Sequence, residues 1–129
     1  MILLDTHMWI WWVSNATEIS ATHKNLIQTH IPEGIGVSII SCWEVAKKVE
    51  IGKLQLDRSV KSWLDGALAY PGVTLLDLSL EIILESTQLP GSFHKDPADQ
   101  IIVATSRALQ IPLLTADHKI IQYPHIKLA

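Results

Sequence analysis

The strongest constraint on this chain is a set of short apolar runs set apart by segments of helical length. Ile2-Leu-Leu4, Ile35-Gly-Val-Ser-Ile39, Val73-Thr-Leu-Leu76 and Pro112-Leu-Leu-Thr115 are each too brief for a stable helix. Strands that are uniformly apolar are buried on both faces, which is the pattern of a parallel sheet covered by helices. The intervening segments supply the helices. His7 to Val13 reads as a short Trp-rich helix, and Ser20 caps a second one running to Ile31, stopped by Pro32-Glu-Gly34. Ser41 is placed to cap a helix from Cys42 to about Ile51, with Gly52 as its stop. Further helices span Ser59 to Tyr70 and Leu80 to Leu89. Asp96-Pro97 opens a strong one to about Leu109, with an Asp cap and Pro in the first turn. Asp117 starts a last short helix, and His125 to Leu128 is a candidate final strand. The expected architecture is α/β, a central, mostly parallel sheet flanked by helices on both faces.

Composition sets limits on this picture. At 129 residues, with no repeat or low-complexity tract, the chain is expected to form one domain over residues 1–129. A 48% hydrophobic content beside 18% charged residues suggests a deeply buried sheet or a surface covered by a partner. No apolar run approaches the ~18 residues of a membrane helix, and the opening Met1–Asp5 has no basic region of a leader. A lone Cys42 cannot form an internal disulfide, which suits a reducing cytoplasm. The net charge of −3 builds in no general attraction to nucleic acid, so any RNA binding needs local basic groups or bound cations.

The acids are more telling. In open parallel sheets, ligands bind beyond the carboxyl ends of the strands. Asp5 directly follows the first strand, Asp117 follows the Pro112–Thr115 strand by two residues, and Glu44 lies about one helical turn past the second strand. Asp96 and Asp99 sit in the first turn of the helix preceding the Pro112–Thr115 strand, which starts at the same edge if it runs antiparallel to that strand. Ionised carboxylates gathered this way repel by about 4 kcal/mol per close pair at an effective dielectric near 20. Cations relieve that repulsion. Without a Cys set or ordered His spacing for Zn²⁺, an all-oxygen site for Mg²⁺ or Mn²⁺ is favoured. Such an ion activates water and neutralises charge on a phosphodiester.

Each acid also has a purely structural reading. Ser41-x-x-Glu44 matches a capping box, and Glu44 can pair with Lys48 one turn on. Asp5, Asp96 and Asp117 can be helix caps, and Asp99 can complement a helix dipole. Four caps converging on one sheet edge is the less economical account. His7, His94 and His118 lie within two residues of these acids and are read first as surface or hydrogen-bonding groups. Trp9, Trp12 and Trp43 are read as core or partner contacts. Lys47, Lys48, Lys53, Arg58 and Lys61 form the densest basic stretch, either a solvated face or a site for phosphate or an acidic partner segment.

Four ordered segments carry a family resemblance over essentially the whole chain. They are Leu3-Leu-Asp-Thr-His7, then Ser41-Cys-Trp-Glu-Val-Ala-Lys-Lys48 with Gly52-Lys-Leu54, then Asp96-Pro-Ala-Asp99 with Ile101-Ile-Val-Ala104, and Leu113-Leu-Thr-Ala-Asp117. Together they resemble the motifs of VapC-type PIN-domain toxins. The resemblance implies a PIN-like three-layer sandwich and a Mg²⁺- or Mn²⁺-dependent endoribonuclease, the toxin of a type II toxin–antitoxin pair. It also implies a cognate antitoxin partner, a homodimer and an RNA substrate. Asp5, Glu44, Asp99 and Asp117 would be the catalytic and metal-binding acids, Asp96 an auxiliary ligand, and Thr6 and Thr115 supporting neighbours. Gln100 departs from the pattern, which often has Arg there, and an amide cannot supply the charged fork of a guanidinium. The competing reading is a non-catalytic module of the same fold that binds RNA or protein. A dehalogenase-like phosphatase fails on Asp5-Thr-His7, where Asp-x-Asp is needed. A receiver domain built on Asp77 lacks the acidic pair and the late Lys.

Overall fold

Alternation along the first strand organises the molecule. In the computed structural model, which describes all 129 residues, β1 (Ile2–Leu4) is buried on both faces. Successive side chains of a strand point to opposite faces. Ile2 and Leu4 accordingly enter one core with Trp9, Ile27, Val37, Val45 and Trp63, while Leu3 enters a second with Ile102, Val103, Leu113 and Ile120. The sheet is therefore the middle layer of three.

The remaining elements are α1 (Thr6–Ser14), α2 (Ala21–His30), β2 (Ile35–Ser38), α3 (Ile39–Glu50), α4 (Val60–Leu68), β3 (Val73–Leu76), α5 (Leu80–Ser86), α6 (Pro97–Leu109), β4 (Leu113–Leu114) and α7 (His118–Ile121). The four strands are ordered β3-β2-β1-β4, and every pairing is parallel. The chain moves outward from β1 through β2 to β3 on one side, then returns to place β4 on the other. The crevice between β1 and β4 is thus a topological switch point. Gly36 leaves room on β2 for a side chain of the neighbouring strand, since a Cβ there would stand 3.0 Å from Leu76 Cδ1 of β3.

Three expectations need correction. α3 begins at Ile39 rather than Cys42, and its cap is Ser38, whose Oγ accepts the Ile40 N–H at 3.1 Å. Ser41 lies inside the helix, fully buried, so the Ser41–Glu44 capping box does not form. The segment from His125 to Leu128 is not a strand; it touches the sheet through a single bridge between Leu113 and Leu128. The helix after Ser79 also stops early, at Ser86.

Candidate functional site at the carboxyl edge of the sheet

Asp5 leaves the end of β1 and caps α1, its Oδ1 accepting the Met8 N–H at 2.9 Å. Its Oδ2 accepts a hydrogen bond from the Thr115 hydroxyl, which leaves the end of β4. Thr115 Oγ1 in turn accepts the Asp117 N–H at 3.0 Å. Residues 110 apart in sequence are joined here because β1 and β4 are neighbours. Glu44, in the second turn of α3, accepts a hydrogen bond from the Thr6 hydroxyl. Thr6 Oγ1 is also hydrogen-bonded to Ser41 Oγ at 2.8 Å. Thr6 has a single hydroxyl hydrogen, so the Ser41 hydroxyl supplies the other. Thr6 and Thr115 are both buried and each holds one acid in place.

The helix starts bring in the other acids. Asp96 caps α6, accepting the Asp99 N–H at 3.1 Å, and Asp117 caps α7, accepting the Lys119 N–H at 2.9 Å. Capping and site formation are therefore not alternatives. In Asp5, Asp96 and Asp117 the cap uses one carboxylate oxygen and orients the other. Asp5, Glu44, Asp96, Asp99 and Asp117 all line one pocket of about 210 Å³, with Thr6, His7, Lys48, His94 and Lys119. No apolar residue lines it. Asp77 is exposed at the end of the far edge strand and takes no part.

The electrostatics follow from that crowding. Burial pushes the Asp99 carboxyl up to about 7, and the charges of Asp96, Glu44, Asp117 and Asp5 push the same way. Asp5 is raised by its burial, against the lowering effect of its bonds from Thr115 and Met8 and of His7. His94 Nε2 lies 3.1 Å from Asp99 Oδ2 but without the alignment of a hydrogen bond, and is a buried atom with no bonded partner. Lys48 does not pair with Glu44; its Nζ meets His7 Nε2 at 3.1 Å. His118 is exposed and lies outside the pocket lining.

The donor set is all oxygen among the acids, which matches a hard cation. No three His, Cys, Asp or Glu side chains converge tightly enough to grip one ion as they stand. Mg²⁺ does not require that, since it keeps several waters and takes one or two protein carboxylates directly. The residues fit a water-rich ion better than a closed cage.

Sequence reasoning passed over Ser38 and Lys119, and gave Ser41 the capping role that Ser38 holds. Ser38 and Ser41 are equally good local caps, so only the length of β2 separates them. Lys119 had no local signal, being one charged residue on a short helix. Trp43 is 56% exposed and is not a core residue. Gln100 donates its amide to the His94 carbonyl at 3.1 Å, so it fastens the loop before α6.

The fold and the pocket define a class: α/β proteins that gather carboxylates at the switch point of a parallel sheet. The chain belongs to the PIN-domain family, whose model matches residues 2–126. Ribonuclease VapC22 of Mycobacterium tuberculosis is 31% identical over 124 residues, spanning 96% of this chain and 92% of that protein. Among solved structures, VapBC2 from Rickettsia felis, bound to a DNA fragment from its promoter, superposes with a TM-score of 0.73. It is 18% identical and covers 100% of this chain and 98% of its own. A toxin–antitoxin complex from Klebsiella pneumoniae gives 0.68 at 19% identity, covering 97% and 94%.

Proposed function

We propose that this protein is a Mg²⁺- or Mn²⁺-dependent endoribonuclease, the toxin of a type II toxin–antitoxin pair. The observation that carries the reading is the convergence of Asp5, Glu44, Asp96, Asp99 and Asp117 on one pocket at the switch point. Kinship with a VapC ribonuclease supports RNA as substrate, and likeness to toxin–antitoxin complexes supports a cognate antitoxin; a homodimeric toxin is what the family resemblance implies. No helix is long and apolar enough to cross a membrane; the lone free Cys42 suits work in a reducing cytoplasm.

Asp5, Glu44, Asp99 and Asp117 would hold the ion, with Asp96 auxiliary. When bound, it supplies a water of lowered pKa and offsets the charge that grows on the phosphodiester. The chain's own groups prepare the site. Thr115 and the Met8 N–H orient the two oxygens of Asp5, and Thr6 orients Glu44. Burial and the neighbouring acids push Asp99 up to about 7, and a bound cation would favour its ionised form. Lys48 and Lys119 offer the positive charge on the rim that an incoming phosphate needs.

The test is cleavage of a mixed RNA pool by antitoxin-free protein in Mg²⁺, Mn²⁺ or EDTA, beside Asp5→Asn of verified fold. Metal-dependent fragments that vanish in the variant are expected; unaltered cleavage by Asp5→Asn overturns the assignment. A non-catalytic RNA- or protein-binding module is the second reading, favoured by the spread of the acids. Its signature is a folded protein that neither cleaves RNA nor binds Mn²⁺.

A further inference from the structure

A recess of about 280 Å³ adjoins the acidic pocket and shares His94 and Lys119 with it. It lies between the loop at Ser92–His94 and the stretch from Lys119 to Pro124. The two linings differ in kind. Five carboxylates face the first pocket and none faces the second. A polyanion with one phosphate in the acidic pocket meets repulsion wherever its next phosphate lies over carboxylates. The recess is a direction free of it.

Its walls suit a nucleotide. Phe93, half-buried with one side packed on the second core, has the His94 ring centroid at 4.4 Å and the Tyr123 centroid at 4.9 Å, planes at 61° for the latter. Tyr123 is buried and donates its hydroxyl to the Pro90 carbonyl, and Gln100 fastens the His94 carbonyl, so the aromatic wall is braced from behind. Lys119 stands exposed on the rim and makes no ion pair, whereas the Lys48 amine is already engaged by His7. Ser92 and Gln122 add exposed polar groups within reach of a base edge. Unstacked RNA bases are recognised by such aromatic faces together with edge hydrogen bonds. The volume falls just below the ~300–1,000 Å³ of pockets for drug-sized ligands, the scale of a single base.

We infer that this recess is a binding subsite for one nucleotide flanking the phosphate in the acidic pocket, with Lys119 on a phosphate oxygen and Phe93 against the base. The inference rests on the proposed action on RNA, but its test does not. AMP, CMP, GMP and UMP are titrated separately into ¹⁵N-labelled protein in EDTA, and amide shifts are followed. Saturable shifts at Phe93, His94, Lys119 and Gln122 are expected with at least one nucleotide. Phe93→Ala should weaken that binding roughly fivefold or more, the least expected from loss of one stacked base. Lys119→Ala should weaken it too, and Phe93→Tyr, which keeps the ring, should retain it and control for folding. Absence of saturable shifts, shifts confined to other surfaces, or unchanged affinity in both alanine variants overturns the subsite. Nucleotide binding without RNA cleavage would sink the nuclease and leave the subsite standing; cleavage without nucleotide binding would do the reverse.

Discussion

Replacing Asp99 by asparagine removes the carboxylate on which four other acids act, while keeping its shape. In the folded protein Asp99 titrates near 7 instead of 3.8, first because it is buried and then because Asp96, Glu44, Asp117 and Asp5 repel its charge. Between about pH 4 and pH 7 the folded state therefore holds a proton that the unfolded state has released. Stability falls as pH rises through that window, and the full penalty is present above it. Roughly three units at 1.36 kcal/mol each set a ceiling of about 4 kcal/mol. The side chain is 21% exposed, and water and relaxation around it reduce the expectation to about 2–3 kcal/mol. Asp99→Asn should thus match the parent near pH 4 and exceed it by that amount at pH 8, in urea unfolding at low salt with EDTA. Adding Mn²⁺ at pH 8 should close the gap by stabilising the parent more, because an ion that binds only the folded state adds to its stability. A stability difference that stays flat from pH 4 to pH 8 would refute the account of repulsion at this site.

Three further substitutions probe the scaffold. Thr115→Val takes a donor from buried Asp5 and an acceptor from the Asp117 N–H; a loss of about 1–3 kcal/mol in urea unfolding is expected, with cleavage reduced as well, and a loss under half a kcal/mol would show that water replaces the hydroxyl. Gly72→Ala forces a side chain onto φ +81° and a Cβ to within 2.8 Å of the Ile31 carbonyl oxygen, so at least about 1–3 kcal/mol should be lost, whereas Gly52→Ala, at φ +76° in open space, should cost clearly less in the same melts.

Where the controlling interaction spans a few residues, the sequence was easy to read. Ser20, Asp96 and Asp117 cap the helices expected of them, because each bond reaches only two or three residues ahead. The apolar runs marked all four strands for the same reason, although only β1, β2 and β4 are buried throughout, while β3, at the sheet edge, is half-exposed. Ser38 and Ser41 show where that legibility stops. Both offer a hydroxyl before an apolar helix, and the choice is made by β2 pairing as far as Ser38 with Leu76 and by the contact of Ser41 with Thr6. The His125–Leu128 segment fails as a strand in a similar way: Leu128 stays exposed, and a single bridge to Leu113 replaces a continuous ladder.

From its sequence alone this protein was determined to be a parallel α/β sandwich with acids after its strands and at its helix starts, because hydrophobic period and capping chemistry are local. Only the tertiary structure decided that Asp5 shares a hydroxyl with the far end of the chain through Thr115, that Thr6 holds Glu44, and that Lys119 and His94 link an acidic pocket to an aromatic one. Those relations depend on which strands become neighbours and on which side chains then compete for the same space, and no local pattern specifies either.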